Sequence, residues 1–197
     1  MLEEIPLPGA SLQLDRHWLP AAQADALFDS LRSTIDWEVH RIRLFGRMVD
    51  SPRMSSWIGD ADASYVYSGV CFQPRPWPPA LLPVRDRLGA IAGVRFNSVL
   101  ANLYRDGRDA MGWHSDDERE LGPQPVIASI SLGASRRFIL KHRRQPEGKL
   151  VLELPHGSLL LMRGDTQRNY RHALPRTRTV PGARINLTFR QVLAPRA

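Results

Sequence analysis

The chain has 197 residues, 43% hydrophobic and 24% charged, enough for one domain with a sizeable core. Its formal net charge is +7, and of 27 basic residues only Lys141 and Lys149 are lysine, so the positive surface consists of arginine forks that suit phosphate. Cys71, the only cysteine, excludes an internal disulfide framework or cysteine-rich zinc module and reads as a small buried hydrophobe, while no apolar run approaches the ~20 residues of a membrane span.

The start, "MLEEIPLPG", is acidic and proline-broken where a secretory signal is basic and then apolar. The expectation is a protein without a membrane partner, cytoplasmic, or nuclear if eukaryotic. Ala24, Leu27, Phe28, Leu31 and Ile35 fall on one stripe and predict a helix within residues 20–37. Residues 38–78 mix arginine, aromatic residues and turn signals with little period. A second helix is predicted from about Pro79 to Ala92, with Leu81, Leu82, Arg85, Leu88 and Ile91 as a weaker stripe and Pro83 near the first turn, where proline is tolerated.

From residue 96 the period changes to two, in "FNSVLANLY", "VIASISLG", "RFILKH", "LVLEL", "SLLLM" and "RINLTFRQV". Glycine, proline and polar clusters separate these runs. They predict a mainly β, antiparallel fold, a barrel or a two-sheet jelly roll, with helices bracing one face.

In "MGWHSDDERE", His114 and Asp116 are two apart, so in extended backbone both side chains project to one side. With a second histidine they form a donor set that leaves three adjacent positions open on an octahedral iron. The triplet alone is weak: with six His in the chain, chance supplies about 0.4 such spacings. His142 ends a basic strand in "LKHRR", His156 lies in a turn before an apolar strand in "LPHGSLLLM", and His172 precedes the last hairpin in "NYRHALP". Spacing leaves all three open as the third ligand.

The last strand is more decisive. In "ARINLTFRQ", Ile185, Leu187 and Phe189 share a core face, while Arg184, Asn186, Thr188 and Arg190 share the other. Two guanidiniums and two hydrogen-bonding groups lining a barrel interior would satisfy a small dicarboxylate through charge-assisted pairs. Asn102 and Tyr104, also two apart, supply polar groups from a second strand.

Together "NSVLANLYRDGRDAMGWHSDDERELG", "PVIASISLGASRRFILKH", "LPHGSLLLMRGDTQRNYRHALP" and "RINLTFR" resemble the iron(II) and 2-oxoglutarate dependent AlkB-type dioxygenases, in particular the branch that repairs alkylated DNA. The similarity spans roughly residues 40–192. It implies a double-stranded β-helix and an iron site at His114, Asp116 and His172. It also implies a 2-oxoglutarate pocket of Asn102, Tyr104, Arg184, Asn186, Thr188 and Arg190, with Arg184 on the distal carboxylate and Arg190 near the iron-chelated end. With Fe(II), 2-oxoglutarate and O2, the N-methyl group of N1-methyladenine or N3-methylcytosine is hydroxylated and lost as formaldehyde. The implied organisation is a single catalytic domain, 1–197: an N-terminal helical segment to about residue 37, a nucleotide-recognition lid over 38–78 and a jelly-roll core over 96–192.

The resemblance also implies the substrate contacts. A base in a duplex must be extruded, and a cationic lesion favours an aromatic face. Tyr65 and Tyr67 match the base-clamping aromatics, with Tyr67 across the base from His114; Asp117 matches an acid that accepts from the exocyclic amine, and Glu118 and Glu120 are expected to face water. Phe45, flanked by Arg41, Arg43 and Arg47, is either a wedge that fills the gap left by the flipped base or a core residue. Arg53 matches a DNA contact, and Arg136, Arg137, Arg143, Arg144, Arg176 and Arg178 are expected at phosphates or in solvent. The substrate is alkylated DNA, double- or single-stranded, acted on by a monomer. RNA with the same iron site is the alternative, and a non-catalytic nucleic-acid-binding module is a third reading.

Overall fold

The computed structural model describes residues 1–44, 47–63, 65–67, 70–145, 148–179 and 182–193; at 42–44, 47, 65–67 and 70–72 it describes the backbone. Phe45 therefore lies outside the described residues, as do the side chains of Arg43, Arg47, Tyr65, Tyr67 and Cys71.

The chain begins with β1 (Glu3–Glu4), β2 (Ser11–Asp15) and α1 (Ala21–Thr34). Then come β3 (Arg41–Leu44), β4 (Arg47–Asp50), β5 (Met54–Gly59), β6 (Tyr65–Tyr67), β7 (Val70–Phe72) and, after a 3-10 turn at Pro79–Leu81, α2 (Leu82–Ala92). The remainder is β8 (Ser98–Tyr104), β9 (Met111–His114), β10 (Ile127–Gly133), β11 (Arg136–His142), β12 (Lys149–Leu154), β13 (Ser158–Arg163), α3 (Thr166–Asn169), β14 (Tyr170–Leu174) and β15 (Arg184–Arg190).

Among the described residues, a seven-stranded sheet runs β1-β2-β13-β10-β15-β8-β5 and a four-stranded sheet β12-β11-β14-β9, with antiparallel pairing throughout both. The hairpins β3-β4 and β6-β7 stand apart as two-stranded sheets. This is the predicted jelly roll with bracing helices. The first segment, expected as helical, also adds β2 to the large sheet beside β13: the period-two "SLQLD" buries Leu12 and Leu14, too short a run to be noticed against the helix that follows.

The helices cover the outer face of the large sheet. Ala24, Leu27 and Leu31 of α1 and Leu88 and Ala92 of α2 join Ile185, Leu187 and Phe189 of β15, each of the last three wholly buried. Burying each such side chain contributes roughly 1.5–3 kcal/mol. α2 stops at Gly93, whose φ of 69° closes the last turn, and Arg163 from β13 donates to the exposed-end carbonyl of Ala92 at 3.0 Å. No described helix is long and apolar enough to cross a membrane.

Between the sheets the interior divides. At one end Leu12, Leu14, Leu160 and Met162 pack on Phe138, Leu140, Leu152 and Tyr170 as an apolar core. At the other end, where β8 and β15 face β9 and β14, the inward positions are polar and a cavity opens.

Candidate active site

β15 lies between β10 and β8, so the pleat points its polar face at the opposing sheet while its apolar face meets the helices. Register places Asn186 opposite Asn102 and Arg184 opposite Tyr104. From the smaller sheet, His172 on β14 pairs directly with His114 on β9. These strands enclose a narrow cavity with about 30 Å³ of free space. The structure brings nine expected residues to its wall: His114, Asp116 and His172, with Asn102, Tyr104, Arg184, Asn186, Thr188 and Arg190.

At the mouth-side end, the Nε2 atoms of His114 and His172 are 3.1 Å apart and His172 Nε2 is 3.6 Å from Asp116 Oδ2. All three donor atoms lie within 4.8 Å of one another. Adjacent ligands on an ion at ~2.1 Å sit about 3 Å apart, so the set fits one small divalent cation. The other histidines are committed elsewhere: His142 Nδ1 accepts the Arg144 and Gln145 N–H groups, and His156 Nδ1 accepts from Gly133 with Nε2 against Asp25.

Local bonds hold the acidic segment in place. Ser115 Oγ donates to the Tyr170 carbonyl at 2.8 Å and the Asp116 N–H to Gln167 Oε1 at 3.0 Å. Arg190 Nη2 donates to Asp116 Oδ1. Burial pushes His172 down to about 3, aided by His114 and opposed by Asp116; burial likewise lowers His114. Burial alone would raise Asp116, but Arg190 and the two imidazoles outweigh it and hold the carboxyl below its usual range. At neutral pH the set is therefore two neutral imidazoles and a carboxylate, the protonation state that binds metal.

At the inner end, Arg184 is 1% exposed, and its only described hydrogen bond goes from Nη2 to Ser131 Oγ at 2.8 Å. Its Nε and Nη1 atoms are buried without a partner. The guanidinium lies over the Tyr104 ring at 5.4 Å, and burial pushes it down to about 10. A buried cation with unused donors fits a dicarboxylate end, which would satisfy it. Asn186 Nδ2 donates to Ser129 Oγ at 2.8 Å, and Thr188 Oγ1 to Asn186 Oδ1 at 3.0 Å. Ser129 and Ser131 were not singled out from the sequence, although "SISLG" places two serines two apart on an otherwise apolar strand.

Three expectations change, those for Arg53, Glu118 and Arg136. Arg53, taken as a DNA contact, is 7% exposed and turned inward, with Nε donating to Asn102 Oδ1 at 2.7 Å and Nη1 to Ser51 Oγ at 3.0 Å. A phosphate contact needs a solvent-facing guanidinium. Asp117, its side chain 48% exposed, accepts from Arg143, which also bonds Ser115 and Gln167 and so braces the ligand segment. Glu118, expected in water, is half-buried with Oε2 out of reach of solvent. Arg136 is 2% exposed and donates to the carbonyls of Asp106, Asp109 and Pro175 at 3.2, 2.9 and 2.6 Å. Arg137, Arg144, Arg176 and Arg178 are exposed.

The sequence profile of the 2OG-Fe(II) oxygenase superfamily matches residues 11–190. DNA oxidative demethylase ALKBH2 of Mus musculus is 41% identical over 182 residues, which cover 87% of this chain and 76% of that protein. Alpha-ketoglutarate-dependent dioxygenase alkB homolog 3 of Bos taurus is 37% identical over 179 residues, 86% of this chain and 62% of that protein. The solved structure of OsALKBH1 superimposes with a TM-score of 0.67 at 18% identity, covering 97% of this chain and all of that one, a likeness of fold.

Proposed function

Because the chain belongs to the AlkB-type branch of the 2OG-Fe(II) oxygenase superfamily, we infer that it is an oxidative DNA demethylase repairing N1-methyladenine and N3-methylcytosine. The observation that carries this reading is the meeting of the His-Asp-His donor set and the arginine-bearing polar wall at one cavity. Its cofactors are Fe(II), 2-oxoglutarate and O2.

His114, Asp116 and His172 would hold the iron, which when bound supplies dioxygen activation at the expense of 2-oxoglutarate and so oxidises the N-methyl group. Arg184 and Ser131 take the distal carboxylate, and Arg190, bonded to Asp116, stands at the iron-side end. Leu100, Met111, Phe138 and Leu174 give the cavity an apolar lining that keeps bulk water from the reacting centre. No side chain acts as nucleophile: the hydroxymethyl group leaves the ring nitrogen as formaldehyde, and the base regains its pairing edge.

Within residues 38–78, expected as a lid throughout, the hairpins β3-β4 and β6-β7 stand apart from both large sheets and serve as the nucleotide-recognition lid, while β5 between them pairs with β8 and belongs to the core. Tyr65 and Tyr67 clamp the flipped base, Tyr67 across from His114, and Phe45 fills the vacated stack. The net charge of +7 and the exposed arginines favour a nucleic-acid backbone. The protein works as a monomer.

The test is a panel of methylated duplex DNA, single-stranded DNA and RNA oligonucleotides. Formaldehyde and succinate should appear together only with Fe(II), 2-oxoglutarate, oxygen and methylated DNA, and not with His114→Ala. Preferential turnover of RNA would move the assignment to RNA repair, and no turnover of any methylated nucleic acid would overturn it.

A further inference from the structure

Arg53 lies between β4 and β5, at the point where the chain leaves the β3-β4 hairpin and enters the large sheet. Its buried guanidinium spans Ser51 Oγ and Asn102 Oδ1, and Asn102 is itself only 2% exposed on β8. A guanidinium nitrogen can only donate. The Asn102 atom 2.7 Å from Arg53 Nε is therefore the carbonyl oxygen, and the amide nitrogen occupies the other edge.

That edge matters because an asparagine amide has two nearly isosteric orientations, of which one presents a donor and the other an acceptor. Asn102 lines the cavity, and its Nδ2 makes no hydrogen bond among the described residues. Its cross-strand partner Asn186 has already spent its donors on Ser129 Oγ and the Ile130 carbonyl. Of this asparagine pair, Asn102 alone has its donor edge unspent, and an acceptor there would repel a carboxylate or keto oxygen.

We propose that Arg53 is a positioning residue for the cosubstrate: by pinning the carbonyl oxygen of Asn102, it fixes the amide with its NH2 edge presented to 2-oxoglutarate. This role rests on the assignment of the cavity to 2-oxoglutarate and replaces the DNA contact expected for Arg53. The pinned orientation costs nothing when the ligand arrives, whereas a freely flipping amide must first be ordered.

The test is calorimetric titration of the Mn(II)-loaded protein with 2-oxoglutarate, alongside fluorescence anisotropy with a methylated duplex. Arg53→Met should weaken 2-oxoglutarate binding about tenfold, the worth of one charge-assisted hydrogen bond, and leave duplex affinity within about twofold. Asn102→Ala should cost a similar factor, and the double variant no more than the worse single one, because the two act through one amide. Arg53→Lys, still a donor, should recover part of the loss. Asn102→Asp keeps an acceptor for Arg53 and hence the fold, but turns an acceptor to the ligand, so it should bind more weakly than wild type even if Arg53→Met fails to fold. Wild-type affinity in Arg53→Met or Asn102→Asp, additive losses, or a fall in duplex affinity alone would overturn the proposal. Failure of the wild type itself to bind 2-oxoglutarate would overturn the functional assignment instead.

Discussion

His114 and His172 face each other across the β9-β14 pair with their Nε2 atoms 3.1 Å apart. Both rings are held neutral by burial, so the pair can share a cation without first losing protons. His172→Ala should weaken Mn(II) binding by about 100-fold or more, above the effect of losing an outer supporting contact. At 100 times the dissociation constant, metal stabilises the folded state by about 2.7 kcal/mol. That corresponds to a rise of roughly 5–11 °C in Tm, which a thermal melt should show for the wild type and not for the variant.

Arg184 costs the empty protein a desolvated charge and serves only when its donors are filled. Arg184→Met should therefore leave the melting temperature of the ligand-free protein unchanged or raised, while abolishing the further rise that 2-oxoglutarate produces with Mn(II). Arg184→Lys should not restore it, since a single ammonium lacks the bidentate fork. A lowered ligand-free Tm with a retained 2-oxoglutarate effect would contradict this role.

Arg136 binds three carbonyls that tie the 105–110 loop to the segment after β14. Removing the guanidinium strands those acceptors, so Arg136→Ala should lower stability by about 3–5 kcal/mol in urea unfolding. Duplex affinity per folded molecule should not change, in contrast to Arg137→Ala or Arg176→Ala at exposed positions.

Asp109 is the pH-sensitive brace of the same loop. Burial would raise its carboxyl, but the Arg105 guanidinium and backbone N–H outweigh burial and lower it from 3.8. A carboxyl depressed in the folded state stabilises above the unfolded pKa and loses that contribution as pH falls through the folded value. Wild type should exceed Asp109→Asn by about 1–3 kcal/mol at pH 5–7, and the gap should shrink as pH drops below 4. A gap independent of pH would rule out the ion pair as its source.

Much of this was legible in the sequence because it depends on local geometry. Period two in "RINLTFR" separates the wholly buried Ile185, Leu187 and Phe189 from the polar face, and the α1 stripe appears where Leu27 and Leu31 are buried. The resemblance located His172, which spacing alone ranks only slightly ahead of His142 and His156. Long-range pairing explains what was missed. Arg53 and Asn102 are 49 residues apart, Arg143 and Asp117 are 26 apart, and Arg136 reaches Pro175 from 39 residues away. Nothing in a basic residue's neighbours tells whether its guanidinium ends in water or under a sheet.

The sequence by itself determined the antiparallel β character, the helix stripes, the two-faced last strand and, through the ordered motifs, the identities of the candidate iron and cosubstrate residues. These follow from the alternation of side chains along a strand, which each segment encodes alone. Only the tertiary structure decided the direction of the buried arginines: Arg53 inward onto Asn102, Arg136 onto three carbonyls. Those directions are set by the requirement that buried donors and acceptors meet, and the partners that meet it come from strands and loops brought together by sheet register.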